Sequence, residues 1–225
     1  HVDGPTADLV SLHGVTLTNF SVAGVWLCPF WADSVGVAEF DSVTIGMRSA
    51  PYGLWVDRVG TDESYNVMLR NVFVSGRNFD SPNVYGIVVN TTGTDGDHSP
   101  ELHDVWVQDI PAGVGLVLFD TSPRIDSLYV VNCKTGIEMW EGGAPTITMD
   151  RAGGYGIFNA TTGIYITDDV QASISDFEIS SATTGVFTEG ALGSSFSDGE
   201  ILGGTTGYKT RTVTGPSSQD RLRGA

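Results

Sequence analysis

The sequence predicts an all-β chain coiled as a parallel β-helix, and two recurring words carry that reading. A glycine followed by a short apolar strand occurs eight times: Gly24-Val-Trp-Leu, Gly53-Leu-Trp-Val, Gly86-Ile-Val-Val, Gly115-Leu-Val-Leu, Gly136-Ile-Glu-Met, Gly163-Ile-Tyr-Ile, Gly185-Val-Phe-Thr and Gly207-Tyr-Lys-Thr. These glycines are 29, 33, 29, 21, 27, 22 and 22 residues apart, a period that belongs to stacked solenoids. The second word precedes the glycine: a polar turn residue, then apolar-x-apolar. It reads Asp41-Ser-Val-Thr-Ile, Asn71-Val-Phe-Val, Asp104-Val-Trp-Val, Asp126-Ser-Leu-Tyr-Val, Asp176-Phe-Glu-Ile and Asp198-Gly-Glu-Ile, with looser versions at Val15-Thr-Leu and Ile147-Thr-Met.

Period-2 alternation makes each word a half-buried strand. Between the two words stand short Gly, Ser, Thr and Asn stretches such as Ala182-Thr-Thr-Gly185, too brief for a crossover helix. Each repeat therefore holds at least two strands joined by tight corners. Such units bury their apolar faces by coiling, each strand pairing in parallel with its equivalent one repeat on. About eight coils at about 4.8 Å each make a rod of roughly 40 Å. A barrel or sandwich would need hairpin turns, and Asp-Gly occurs only at Asp3, Asp95 and Asp198.

The 225 residues suffice for one sizeable domain, expected over 1–210, with an exit linker or disordered tail over 211–225. The start at His1, already in solenoid-like sequence, reads as a segment of something longer. A net charge of −16, from 27 acidic against 11 basic residues, disfavours nucleic acid as a partner. No apolar run is long enough to insert in a membrane. Cys28 and Cys133 fall at different phases of the repeat, so no disulfide is expected between them.

The outward columns carry the functional signal. The second residue after each glycine points outward and reads Trp26, Trp55, Val88, Val117, Glu138, Tyr165, Phe187 and Lys209 down the stack. The matching column of the preceding strand reads Thr16, Thr44, Phe73, Trp106, Tyr129, Thr148, Glu178 and Glu200. Apolar stripes of this size call for a cover. Three readings stay open: loops such as 59–66 and 90–101 fold over them, copies of the chain or another domain pack on them, or rings stack on sugar units. Trp26, Trp55, Trp106, Tyr129, Trp140, Tyr165 and Phe187 are the residues expected to bind glycan or form an interface.

These coil words, over residues 9–210, resemble the pectate-lyase-like right-handed parallel β-helix proteins, and among them the tail spikes and tail fibres of tailed viruses. The opening stretch from Thr6 to Asn19 is similar to the first coils of such spikes. The resemblance implies a homotrimeric, extracellular spike on a virion tail, beside other tail proteins, that meets a host cell-surface polysaccharide. The same coil serves lyases, hydrolases, adhesins and inert shafts. Two further readings therefore stand beside it: a secreted pectate-lyase-like carbohydrate-active enzyme, and a structural shaft or adhesin module.

No motif assigns chemistry. Of the four signature elements of polygalacturonases only Asp168-Asp169 echoes one, and nothing matches the acid cluster and base of pectate lyases. Spike depolymerases resemble glycosidases that set two carboxylates about 5–9.5 Å apart. The outward candidates for such a pair are Asp57, Asp120, Glu138 and Glu141, with Glu138 singled out because it interrupts an apolar column. Asp95 and Asp97, with His98 and Glu101, offer donors of the type calcium takes, but without EF-hand spacing, and no cofactor is expected. The Asp or Asn that opens six coils is read as a turn residue. Asn19, Asn90 and Asn159 head glycosylation sequons.

Overall fold

A computed structural model of the chain describes residues 9–18, 23–27, 36–47, 51–58, 65–76, 83–91, 100–167, 169–190 and 193–211. Over them the chain is a parallel β-helix with three faces. The first face stacks Leu9–His13, Gly36–Asp41, the opening parts of Tyr65–Ser75, Glu101–Phe119 and Arg124–Trp140, then Thr146–Thr148, Ser173–Ser175 and Ser195–Ser197. The second stacks Thr16–Thr18, Thr44–Gly46, the middle of the long strands, Gly156–Phe158, Glu178–Ser180 and Glu200–Leu202. The third stacks Ala23–Leu27, Tyr52–Arg58, Tyr85–Thr91, the ends of the two longest strands, Thr162–Ile166, Thr184–Glu189 and Thr206–Arg211. Both repeated words fall on strands, on the second and third faces; the first face, written in words as plain as Ser173-Ile-Ser, completes the coil.

Each face sends one aliphatic column inward. Leu69, Leu102, Ile125 and Ile147 come from the first, Val74, Val107, Val130 and Ile157 from the second, and Ile87, Leu116, Ile137 and Ile164 from the third; none is more than 1% exposed. Burying one such side chain contributes about 1.5–3 kcal/mol. The coil therefore carries its own core, repeat by repeat.

The recurrent glycine has a steric cause. A methyl group on Gly53, Gly86, Gly115, Gly136, Gly163 or Gly185 would lie 2.5–2.8 Å from the carbonyl oxygen of the glycine one coil on. It would also meet a Val or Ile of the second face, at 2.4–2.7 Å. Only a residue without Cβ lets the third face cross that corner so close to its neighbours.

The polar openers of the second word turn the chain, as expected. Asn71, Asp104, Asp176 and Asp198 have φ between 48° and 52°, the left-handed region that Asn and Asp tolerate best. In Asp41-Ser42 and Asp126-Ser127 the serine takes that conformation, at φ 57° and 61°. The next corner repeats the device with Asp109, Asn132, Asn159 and Ser181.

One repeat departs from the expected threading. Thr148 stands on the first face, in register with Asp126 and Ser175, and not in the second-face column. Extra residues make a 3₁₀ turn at Arg151–Gly153, capped by the Asp150 side chain accepting from the Gly153 N–H. Gly156 then takes the position beneath Tyr129 in the ladder, and Phe158 is the outward aromatic of that coil. Ile147-Thr-Met satisfies the same apolar-x-apolar pattern, which is why the word alone misplaces it.

Cys133 is a free, buried thiol, and Cys28 lies outside the described residues. The expected tail beyond Arg211 also lies outside them.

Candidate functional site

The outward column of the third face forms one unbroken row. Trp55 pairs with Val88, Val88 with Val117, Val117 with Glu138, Glu138 with Tyr165, Tyr165 with Phe187 and Phe187 with Lys209. Although they face away from the core, Val88 and Val117 are only 7% and 8% exposed. With Val114 they make a second small apolar cluster, over which Tyr52, Trp55 and Tyr85 pack. The stripe is in part its own cover.

Tyr52 and Tyr85 reach that face because the glycines break the alternation. Leu54 is buried in the core, and a Cβ on Gly53 would also run into core atoms of Val74 and Met47. Two successive residues thus face inward, and Tyr52 emerges on the same side as Trp55. The two rings meet edge to face at 4.2 Å, and Tyr52 stacks on Tyr85 at 5.6 Å. Gly86 and Ile87 repeat the slip and bring out Tyr85.

Together these residues enclose an open cavity of about 300 Å³, lined by Tyr52, Trp55, Tyr85, Val88, Asn90, Val117, Phe119, Glu138 and Trp140. Among the described residues Glu138 supplies its one acidic side chain. Burial pushes the Glu138 carboxyl above the usual range, while hydrogen bonds with Thr135 and Trp140 and the charge of Lys134 pull the other way. Tyr85 is raised by burial and then by Glu138 and Tyr52. The Tyr165 hydroxyl is pushed up to about 12 by burial and by its 2.7 Å bond to Glu189. Glu189 is also paired with Arg211 at 3.1 Å.

The expected site residues divide among three places. Trp55, Glu138 and Trp140 line the cavity, and Tyr165 stacks on Phe187 at 5.2 Å farther along the same face. Trp106 and Tyr129 belong to the second face, with ring centroids 4.3 Å apart, and Tyr129 lies 5.2 Å from Phe158. Trp106 is 41% exposed. Trp26 pairs in register with Trp55, but its side chain lies outside the described residues.

The carboxylate candidates do not gather around Glu138. Asp120 and Glu141 occupy corners just past Phe119 and Trp140, in left-handed conformation at φ 44° and 59°, and neither lines the cavity. Asp57 pairs with Asn90, three ladder steps from the coil of Trp140 and Glu138, a backbone distance of about 14 Å. The side chain of Asp57 lies outside the described residues, as do Asp95, Asp97 and Asp168. Glu101 opens a strand, where its carboxylate lies 3.5 Å from His103. Among the described residues no three His, Cys, Asp or Glu side chains cluster to hold a metal ion.

The sequence reading missed Tyr52, Tyr85, Asn90 and Phe119. Asn90 and Phe119 stand two residues beyond the outward column and were accessible to simple alternation. The two tyrosines were not, because strict alternation turns them inward.

An apolar floor, aromatic walls and one carboxylate can hold a small ligand by ring contacts and orient it by one charged acceptor. Among the described residues no helix is long and apolar enough to cross a membrane. No protein-family model matches the chain, and neither a curated protein nor a solved structure matches it.

Proposed function

We propose that this β-helix binds a glycan in the third-face cavity, as the module of a viral tail spike or fibre that meets a host cell-surface polysaccharide. The observation that carries the reading is the convergence of Trp55, Tyr52, Tyr85 and Trp140 over the Val88–Val117 floor with Glu138 among them. Aromatic rings stack on the apolar faces of pyranose units, and a carboxylate accepts from vicinal hydroxyls. Among the described residues Glu138 has no second carboxylate beside it in the cavity lining, which supports a binding role. The setting is extracellular, with other virion tail proteins as neighbours.

Intrinsic tryptophan fluorescence titrated with a panel of bacterial surface polysaccharides tests this. A saturable change that Trp55→Ala and Trp140→Ala each weaken at least about tenfold is expected. No change with any polysaccharide, or binding untouched by both variants, refutes it.

A second feature favours assembly. Trp106 stands exposed beside the Tyr129 and Phe158 rings, and Phe73 pairs with it in register. This stripe is the contact face of the proposed homotrimer, and the shaft reading rests on the same stripe. Sedimentation equilibrium should give a trimer that Trp106→Ser converts to monomer. A wild-type monomer would remove the assembly.

A further inference from the structure

The glycan-binding reading leaves open what kind of sugar the cavity selects, and its chemistry is asymmetric. Three of its residues are electron-rich rings clustered within 5.6 Å of one another, centroid to centroid, along the Trp55–Tyr52–Tyr85 series. A fourth, Trp140, is 39% exposed and hydrogen-bonds Glu138. Rings of this type present negative π faces to a cation. Among the described residues the lining holds one carboxylate, Glu138, and no cationic side chain. The basic residue nearest in influence, Lys134, is the weakest of the groups acting on its carboxyl. A carboxylate held in apolar surroundings gains most from a positive group that enters with the ligand.

The surroundings point the same way. The chain carries a net charge of −16, so its field concentrates cations near its surface. The face itself already holds one such contact, since the Lys209 ammonium lies 5.2 Å from the centroid of Phe187 in the same outward row. A volume of about 300 Å³ sits at the small end of ligand cavities, about 300–1,000 Å³, and suits one sugar unit with its substituent.

We infer that the cavity is an aromatic cage for an organic ammonium group carried by the glycan, with Glu138 as its counter-ion and Tyr52, Trp55, Tyr85 and Trp140 as its walls. This rests on the glycan-binding proposal and narrows it. The ammonium is either the free amine of a hexosamine or a quaternary choline-type substituent; the recognition chemistry is the same for both.

Calorimetric titration of the whole chain distinguishes the cases. Four probes are used: a glucosamine oligomer, its fully N-acetylated counterpart, a glucose oligomer of equal length, and choline chloride. Tighter binding of the glucosamine oligomer, by about tenfold or more over both neutral oligomers, supports the cage and identifies a hexosamine. Saturable binding of choline that also displaces the oligomer supports it and identifies a quaternary substituent. In either case Glu138→Gln should weaken the charged probe far more than the neutral oligomers and so abolish the preference. Equal affinity for charged and neutral oligomers, or a preference that survives Glu138→Gln, overturns the cage while the glycan site stands. Failure of all four probes, together with failure of the polysaccharide panel, overturns both.

Discussion

Asn132 donates from Nδ2 to Oδ1 of Asp109, one coil below, at 2.8 Å. Its own Oδ1 accepts from Nδ2 of Asn159, one coil above, at 2.7 Å. All three residues are left-handed, with φ between 54° and 61°. One short amide thus turns the corner and ties three coils together. The Asn159 amide that its sequon offers to a glycan is engaged in this ladder.

Asn132→Ala should therefore lose two hydrogen bonds at about 1 kcal/mol each and replace an Asn, which tolerates the left-handed region, by an Ala, for which it costs about 1–2 kcal/mol. Asn132→Gly forfeits the bonds but not the conformation. Urea unfolding should show a loss of about 3 kcal/mol or more for the first and about 2 kcal/mol for the second. Equal losses would mean that conformation contributes nothing at this corner.

The glycine column gives a sharper contrast. A Cβ on Gly136 would stand 2.6 Å from the Gly163 oxygen and 2.6 Å from a methyl of Ile157, whereas one on Gly207 meets nothing within 4 Å. Gly136→Ala should cost about 3 kcal/mol by overpacking, and Gly207→Ala less than about 0.5. Thermal unfolding of the pair decides it, and similar midpoints would discard the steric account of the repeat.

Cys133 is buried in the core beside its ladder partner Ile110, where burial pushes its thiol up to about 12, well above the ordinary thiol range. In a Cys28→Ser chain, a thiol reagent at about pH 8 should leave the folded protein unlabelled and react at once in denaturant. The raised value also sets a pH dependence. The unfolded thiol ionises first, so the stability this group contributes is complete below about pH 9 and is lost as pH rises toward 12. Cys133→Ala should flatten that decline. Rapid native labelling would contradict the burial.

Much of the coil is legible because its constraints are local. A glycine is needed wherever Gly86 passes under Gly115, and an Asn or Asp wherever the chain turns at Asn71 or Asp104, so the words repeat. The cavity is less legible because it depends on where alternation fails. Tyr52 and Tyr85 are outward only because Gly53 and Gly86 each add an inward residue, and no propensity marks that slip. The 3₁₀ turn after Asp150 was hidden for the opposite reason, since Ile147-Thr-Met obeys the strand pattern on the wrong face. Assigning Glu138 to an otherwise apolar column needed only the repeat itself.

Glu138 should make the chain less stable than it needs to be. Burial raises its carboxyl above the unfolded value, so the folded state holds its proton more tightly than the unfolded state does. The folded state is thus favoured most below about pH 4.5, and that advantage is lost as pH rises through the raised folded value. Glu138→Gln removes the charge but keeps an oxygen to accept from Thr135 and Trp140. The variant should melt above wild type at pH 7, and the gap should close as pH falls toward 4. Melting curves at several pH values check this, and a variant less stable than wild type at pH 7 would make Glu138 a structural residue. A charge held at a stability cost on an apolar floor is what a binding residue looks like, because only a ligand compensates it.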